Sequence, residues 1–178
     1  MLQHCDDPAF PFAEVQRVLR PGGLLLFCTL GPGTLHELRA AWSSADDSPH
    51  LRHFADMPQL ASAATHAGLA EPVMDRDVRV THYPRVMDLL LELRANGDDA
   101  TLTERRRALT GPGRWRRMHG HYETLRSSAG IPASWELIYG AAFAGATRHS
   151  RAPGASSRAK GETVVPLDTL RTRGRSRP

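Results

Sequence analysis

Six arginines near the middle of the chain form its densest basic group outside the C-terminal residues. They are Arg105, Arg106, Arg107, Arg114, Arg116 and Arg117. Guanidinium groups bind carboxylates and phosphates through paired hydrogen bonds, and a cluster of them attracts an acidic partner. The group therefore predicts a surface for an anionic ligand or an acidic protein; the alternative is a solvated helix face. Nucleic acid is disfavoured as the partner, because no series of aromatic residues for base stacking is interleaved with the cluster.

A second candidate site follows the apolar run Leu24–Leu30, which has the length and composition of a strand buried on both faces. Thr29, Gly31 and Thr34 fall at the carboxyl end of this predicted strand, where open α/β sheets bind their ligands. We predict that these residues contact a substrate or partner. The alternative for Thr34 is a helix N-cap, with Glu37 at the position that completes a capping box.

Histidine and cysteine residues do not form a metal-binding pattern. The histidines are scattered without cysteine or acidic companions at ligand spacing, so we expect no zinc site. Cys5 and Cys28 are too few for a disulfide framework or a CxxC motif.

The charge of the chain is unevenly distributed. Residues 148–178 hold eight basic and two acidic side chains, whereas the whole chain has 23 and 19, so residues 1–147 have a net charge of −2. The pI of about 9.7 therefore reflects the C-terminal residues. No apolar run approaches the ~20 residues that span a bilayer, and the N-terminal residues do not resemble an export signal. We expect a cytoplasmic protein that does not enter a membrane.

The pattern of apolar residues and breakers predicts an α/β fold. Strands are expected over 24–30, 73–83 and 134–143. Helices are expected over 8–20, 34–42, 56–66, 84–94, 102–109 and 114–127. We therefore predict one domain over residues 1–146, with lid helices at about 84–127, followed by an arginine-rich, mostly disordered tail over 147–178.

Several motifs resemble one enzyme family. Glu14–Phe27, with its Arg-Pro-Gly-Gly turn before an apolar strand, resembles the helix, turn and fifth strand of the class I S-adenosylmethionine-dependent methyltransferases. Further segments are similar to the malonyl-acyl-carrier-protein O-methyltransferases of biotin synthesis. These are residues 29–38, 53–57, 109–115, 135–140 and 161–171.

The resemblance implies the C-terminal part of a seven-stranded Rossmann-like sheet, with a helical lid before the last strand. It implies S-adenosylmethionine as the cofactor, with Gln3 and His4 beside it. It also implies an acyl carrier protein bearing a malonyl thioester as the substrate, approached by Arg105, Arg106, Arg107, Arg114 and Arg117. The family's first strands and glycine loop have no counterpart here, since no G-x-G-x-G occurs in residues 1–178.

Two alternatives follow from the missing glycine loop. The chain could be an inactive remnant of such an enzyme, or a module that binds acyl carrier protein without methyl transfer. A small-molecule methyltransferase of unrelated substrate would need the same cofactor loop. Because the strand over Leu24–Leu30 would lack its fourth-strand neighbour, we also expect self-association through an exposed strand edge.

Overall fold

A three-stranded antiparallel sheet is the centre of the computed structural model, which describes residues 2–5, 7–96 and 111–145. The strands are β1 (Leu24–Leu30), β2 (Leu69–Tyr83) and β3 (Ile131–Ala144). β3 lies between the other two and runs antiparallel to both. The predicted α/β class is confirmed, and the predicted bounds of β1 agree with the structure.

Five helices and one short 3-10 turn complete the described part of the chain. Leu2–His4 forms the 3-10 turn, and the helices are α1 (Ala9–Val18), α2 (His36–Ser43), α3 (Met57–His66), α4 (Val86–Ala95) and α5 (Pro112–Glu123). The helix predicted over 102–109 and the tail predicted over 147–178 lie outside the described residues. No helix in the described ranges is long and apolar enough to cross a bilayer.

One apolar core lies between α1, α3 and one face of the sheet. Phe12 of α1 packs edge-to-face on Phe27 of β1, with ring centroids 5.3 Å apart. Leu60 of α3 and Ile138 of β3 are buried in the same cluster. α3 begins as the sequence predicts, because Asp56 accepts a hydrogen bond from the Gln59 amide and Gln59 returns one to Asp56.

A second core lies between α2, α4 and α5 and the ends of β2 and β3 that meet there. Leu38 of α2, Leu89 of α4 and Met118 of α5 are fully buried in it. Tyr122 is buried as well and donates a hydrogen bond to the Pro132 carbonyl at 2.8 Å. The three helices therefore form a separate layer beside one end of the sheet.

The prediction that β1 is buried on both faces is wrong. Leu25 and Phe27 face α1 and α3, but Leu24 and Leu26 on the other face are 50% and 70% exposed. Their neighbours on the same face, Val73 of β2 and Phe143 of β3, are also exposed. The reason is that α1 and α3 both pack on one face, and no described element covers the other.

We predict that this exposed apolar face and the unpaired edge of β1 cause the chain to self-associate. Size-exclusion chromatography with light scattering should give a mass above the 19.6 kDa monomer. Leu26→Lys should shift the population toward monomer, because a charge on the face opposes apolar contact. Ala13→Lys, on the exposed side of α1, is the matched control. A monodisperse wild-type monomer with one cooperative melting transition would contradict the prediction.

Candidate functional site

The first half of β3 extends beyond the end of β1. Pairing between the two strands stops at Leu30 and Leu137, whereas β3 begins at Ile131. The backbone groups of Ser134 and Glu136 on that edge therefore have no strand beside them. Because buried backbone polar groups must be hydrogen-bonded, another part of the chain has to supply their partners. The segment from Gly31 to Glu37 does so.

Ser134 is bonded on this edge by the start of α2. Its amide donates to Glu37 Oε2 at 3.1 Å, and its hydroxyl donates to Glu37 Oε1 at 2.5 Å. The Ser134 carbonyl accepts from the Leu35 amide at 2.7 Å. Glu37 and Ser134 are both buried, so both oxygens of the Glu37 carboxylate are used inside the protein.

Glu136 is bonded by the loop that precedes α2. Its carbonyl accepts from the Gly31 amide at 2.8 Å and from Thr34 Oγ1 at 3.2 Å. Its amide donates to Thr34 Oγ1 at 3.1 Å, and its carboxylate accepts from the Gly33 amide. A Cβ at Gly31 or Gly33 would lie 2.7 Å from the Glu136 side chain, so a larger residue at either position would displace the Glu136 carboxylate from this loop.

The prediction that Thr34 and Glu37 form a capping box for α2 is wrong. The helix begins after Leu35, which has a φ of 54° and forms no side-chain cap. Left-handed backbone at a leucine is strained, and here the Leu35 amide is held by the Ser134 carbonyl. Thr34 and Glu37 bond to β3 instead, because the unpaired strand edge offers them buried partners.

A cleft of about 410 Å³ lies beside this junction, between α2, α4, α5 and the segment 49–54. Its walls are largely apolar and include Trp42, Trp115 and Trp135. Thr34 and Leu35 also line it, so the same segment that completes the β3 edge forms part of the wall. The arginines Arg39, Arg52 and Arg94 reach the cleft from three different elements.

One end of the cleft is fixed by contacts around Asp46. The His50 ring stacks on Trp42 with centroids 3.8 Å apart, and His50 Nε2 lies 2.7 Å from Asp46 Oδ1. Burial raises the pKa of Asp46, but hydrogen bonds from His50 and the Ser48 amide and the charges of His50 and Arg114 outweigh it, so the pKa is lowered. The carboxylate is therefore charged at neutral pH.

The residues predicted to bind ligands lie in different places. His4 and Thr34 line the cleft, whereas Gln3 and Thr29 line a neighbouring cavity of about 690 Å³. Arg114 lies 3.5 Å from Asp46, and Arg117 donates to the Ala45 carbonyl at 2.8 Å. Both thus contact the residues that directly follow α2. Arg105, Arg106 and Arg107 lie outside the described residues.

Comparison with known proteins identifies several relatives that share one enzyme name. A malonyl-acyl-carrier-protein O-methyltransferase from Nitrosospira multiformis is 42% identical over 149 residues, which are 84% of this chain and 48% of the relative. One from Gallionella capsiferriformans is 41% identical over 150 residues, 84% of this chain and 52% of the relative. The chain is similar to about half of such an enzyme. The resemblance predicted from the sequence is confirmed.

The chain spans about half the length of the curated relatives it matches. No protein-family model matches it. Among solved structures, a Bacillus halodurans protein has a TM-score of 0.45 and 15% identity, covering 81% of this chain and 61% of that one.

Among the described residues, no group of three histidine, cysteine or acidic side chains is arranged to bind a metal.

Sequence reasoning missed Glu136 and Arg39. Glu136 lies in an apolar stretch of β3, and a buried carboxylate in such a strand is a signal that its partner must come from elsewhere in the chain. Arg39 gives no comparable signal, because it looks like any arginine on an amphipathic helix. Only the packing of α2 shows that it faces the cleft.

Glu37→Gln is expected to destabilise the fold. The Ser134 hydroxyl could accept from the new amide NH2 and its N–H could still donate to the amide oxygen, but neither hydrogen bond would be charge-assisted. The free energy of unfolding should fall by about 1.5–3 kcal/mol. Urea unfolding at one protein concentration measures the change. Glu14→Gln, which breaks an exposed pair with Arg17, is the matched control and should cost at most about 1 kcal/mol. Equal effects would show that the buried bonds add nothing.

Proposed function

We propose that the chain is the acyl-substrate part of a malonyl-acyl-carrier-protein O-methyltransferase that uses S-adenosylmethionine. The main support is the identity of about two residues in five over most of this chain to enzymes of that name. The sheet is consistent with it. In the fold that the resemblance implies, the fifth strand lies between the fourth and the seventh, which is the last; β1 corresponds to the fifth strand, and it lies beside β3, the strand that follows the lid helices. A cytoplasmic location is part of the proposal.

The proposed reaction places few chemical demands on side chains. The free carboxylate of the malonyl thioester is already a nucleophile, so no general base is required. When bound, S-adenosylmethionine supplies an activated methyl group on a sulfonium. The protein has to orient the carboxylate and exclude water, because the carboxylate anion and the sulfonium cation react faster when neither is hydrated. The apolar cleft beside α2 is suited to that task.

The residues described here would form only part of a cofactor site. Gln3 and Thr29 border the cavity at the carboxyl end of β1, and His4 borders the cleft next to it. Leu30 and Phe54 line both spaces, so a cofactor and an acyl substrate could meet there. No G-x-G-x-G loop occurs in the sequence to hold the rest of the cofactor.

The arginines would bind the carrier protein. Acyl carrier proteins are acidic, and their pantetheine arm bears a phosphate. Arg114 and Arg117 on α5 border the end of α2 next to the cleft, and Arg105, Arg106 and Arg107 precede them in the chain. Positive charge near the cleft would steer the acidic partner toward it.

Binding of malonyl-acyl carrier protein tests this proposal. Titration calorimetry with the full chain should show binding that weakens steeply between about 0.05 and 0.5 M salt, because exposed charges are screened over ~8 Å at physiological ionic strength. Arg106→Glu should weaken binding further. Arg20→Glu, the same charge change at an exposed residue just after α1, is the matched control and should have little effect.

Two results would contradict the proposal. One is the absence of binding to malonyl-acyl carrier protein at low salt. The other is equal binding of the malonyl and acetyl forms together with no effect of salt or of Arg106→Glu, which would leave the arginines as a solvated helix face.

A further inference from the structure

The cleft beside α2 has an uneven charge. Three arginines line it, and no aspartate or glutamate does so among the described residues. The histidine at its end, His50, is already paired with Asp46. Apolar walls lower the local dielectric, so the field of the arginines is screened less than on an open surface. An apolar cleft that is lined by arginines, and by no acidic residue among the described ones, is complementary to an amphipathic anion.

Arg39 is the arginine that is best placed to bind such an anion. Its side chain is half-buried, and burial lowers the pKa of its guanidinium group. Nη1 donates to the Leu51 carbonyl at 3.5 Å and Nη2 to the Arg52 carbonyl at 3.1 Å. Within the described part of the chain, no carboxylate forms an ion pair with it.

The two carbonyls leave most of the guanidinium donors available. A guanidinium has five N–H groups in a fixed fork, and the Leu51 and Arg52 carbonyls use two of them. These bonds also hold the side chain in place, so a ligand would lose little entropy in ordering it. A charged group that is desolvated, anchored and without a counter-charge is an incomplete ion pair.

We propose that the cleft binds an aliphatic chain that ends in a carboxylate, and that Arg39 binds the carboxylate. The aromatic and leucine side chains would contact the aliphatic part. That the natural ligand is the malonyl group of a thioester rests on the proposed function. The same chemistry would accept a fatty acid, so the experiment separates these two sources.

Intrinsic fluorescence reports on this cleft directly. The chain has three tryptophans, and all three line the cleft. Titration of the full chain with octanoate and with octanol compares a carboxylate with a neutral group on the same aliphatic chain. Wild type should bind octanoate more tightly by about 10- to 100-fold, the range expected for hydrogen bonds to a charged group.

Arg39→Gln should remove most of the preference for octanoate, since Arg52 and Arg94 still line the cleft, and leave the octanol affinity unchanged. Arg20→Gln, outside the cleft, is the matched control and should keep the preference. If Arg39→Gln also alters octanol binding, Arg39→Lys decides whether Arg39 binds the carboxylate or only maintains the cleft. Lysine keeps the positive charge but lacks the planar fork of N–H donors, so the preference for octanoate should fall without disappearing. A preference unchanged in Arg39→Lys overturns the proposal, as does a preference unchanged in Arg39→Gln or absent from wild type.

A second pair of probes separates this site from the proposed function. The malonyl and acetyl thioesters of N-acetylcysteamine differ by one carboxylate and carry no phosphate. If wild type prefers the malonyl thioester and Arg39→Gln loses most of that preference, both proposals are supported. If octanoate binding depends on Arg39 but the malonyl thioester is not preferred, the carboxylate site stands and the malonyl substrate is wrong. If the malonyl preference survives Arg39→Gln, the substrate stands and the role of Arg39 is overturned.

Discussion

A buried strand edge that has no neighbouring strand must still have its hydrogen bonds made. In this protein the edge belongs to the first half of β3, where Ser134 and Glu136 extend past the end of β1. An unpaired buried backbone group costs on the order of 1–3 kcal/mol. The segment from Gly31 to Glu37 removes that cost by supplying a partner to both backbone groups of each residue. The conformation of the segment follows from these bonds.

The same constraint fixes the cleft. With Glu37 bonded to Ser134, α2 has a defined position and direction relative to the sheet. Arg39 and Trp42, two and five residues further on, then face the space between α2 and α4. α5 docks on the far end of α2 through Arg117 and the Ala45 carbonyl. A polar network on one strand therefore determines where apolar walls and a guanidinium group meet.

Local signals in the sequence predicted much of the fold. The apolar run of β1, the Pro-Gly-Gly turn before it and the Asp56 cap of α3 each specify structure through neighbours in the chain. Thr34 and Glu37 have capping-box spacing, and their true partners lie about a hundred residues away. No local pattern distinguishes these two uses. The prediction that β1 is buried on both faces was wrong for a related reason. An apolar run indicates that both faces of a strand can be covered, but it does not show whether the described helices pack on both faces or on one.

Amide hydrogen exchange at Ser134 tests the central claim most directly. Its N–H has no strand partner and donates to the buried Glu37 carboxylate. If that bond holds the strand edge, the Ser134 amide should exchange as slowly as an amide in the paired part of β3, such as that of Tyr139. Exchange of Ser134 at the rate of an unstructured peptide, with Tyr139 still protected, would contradict the account.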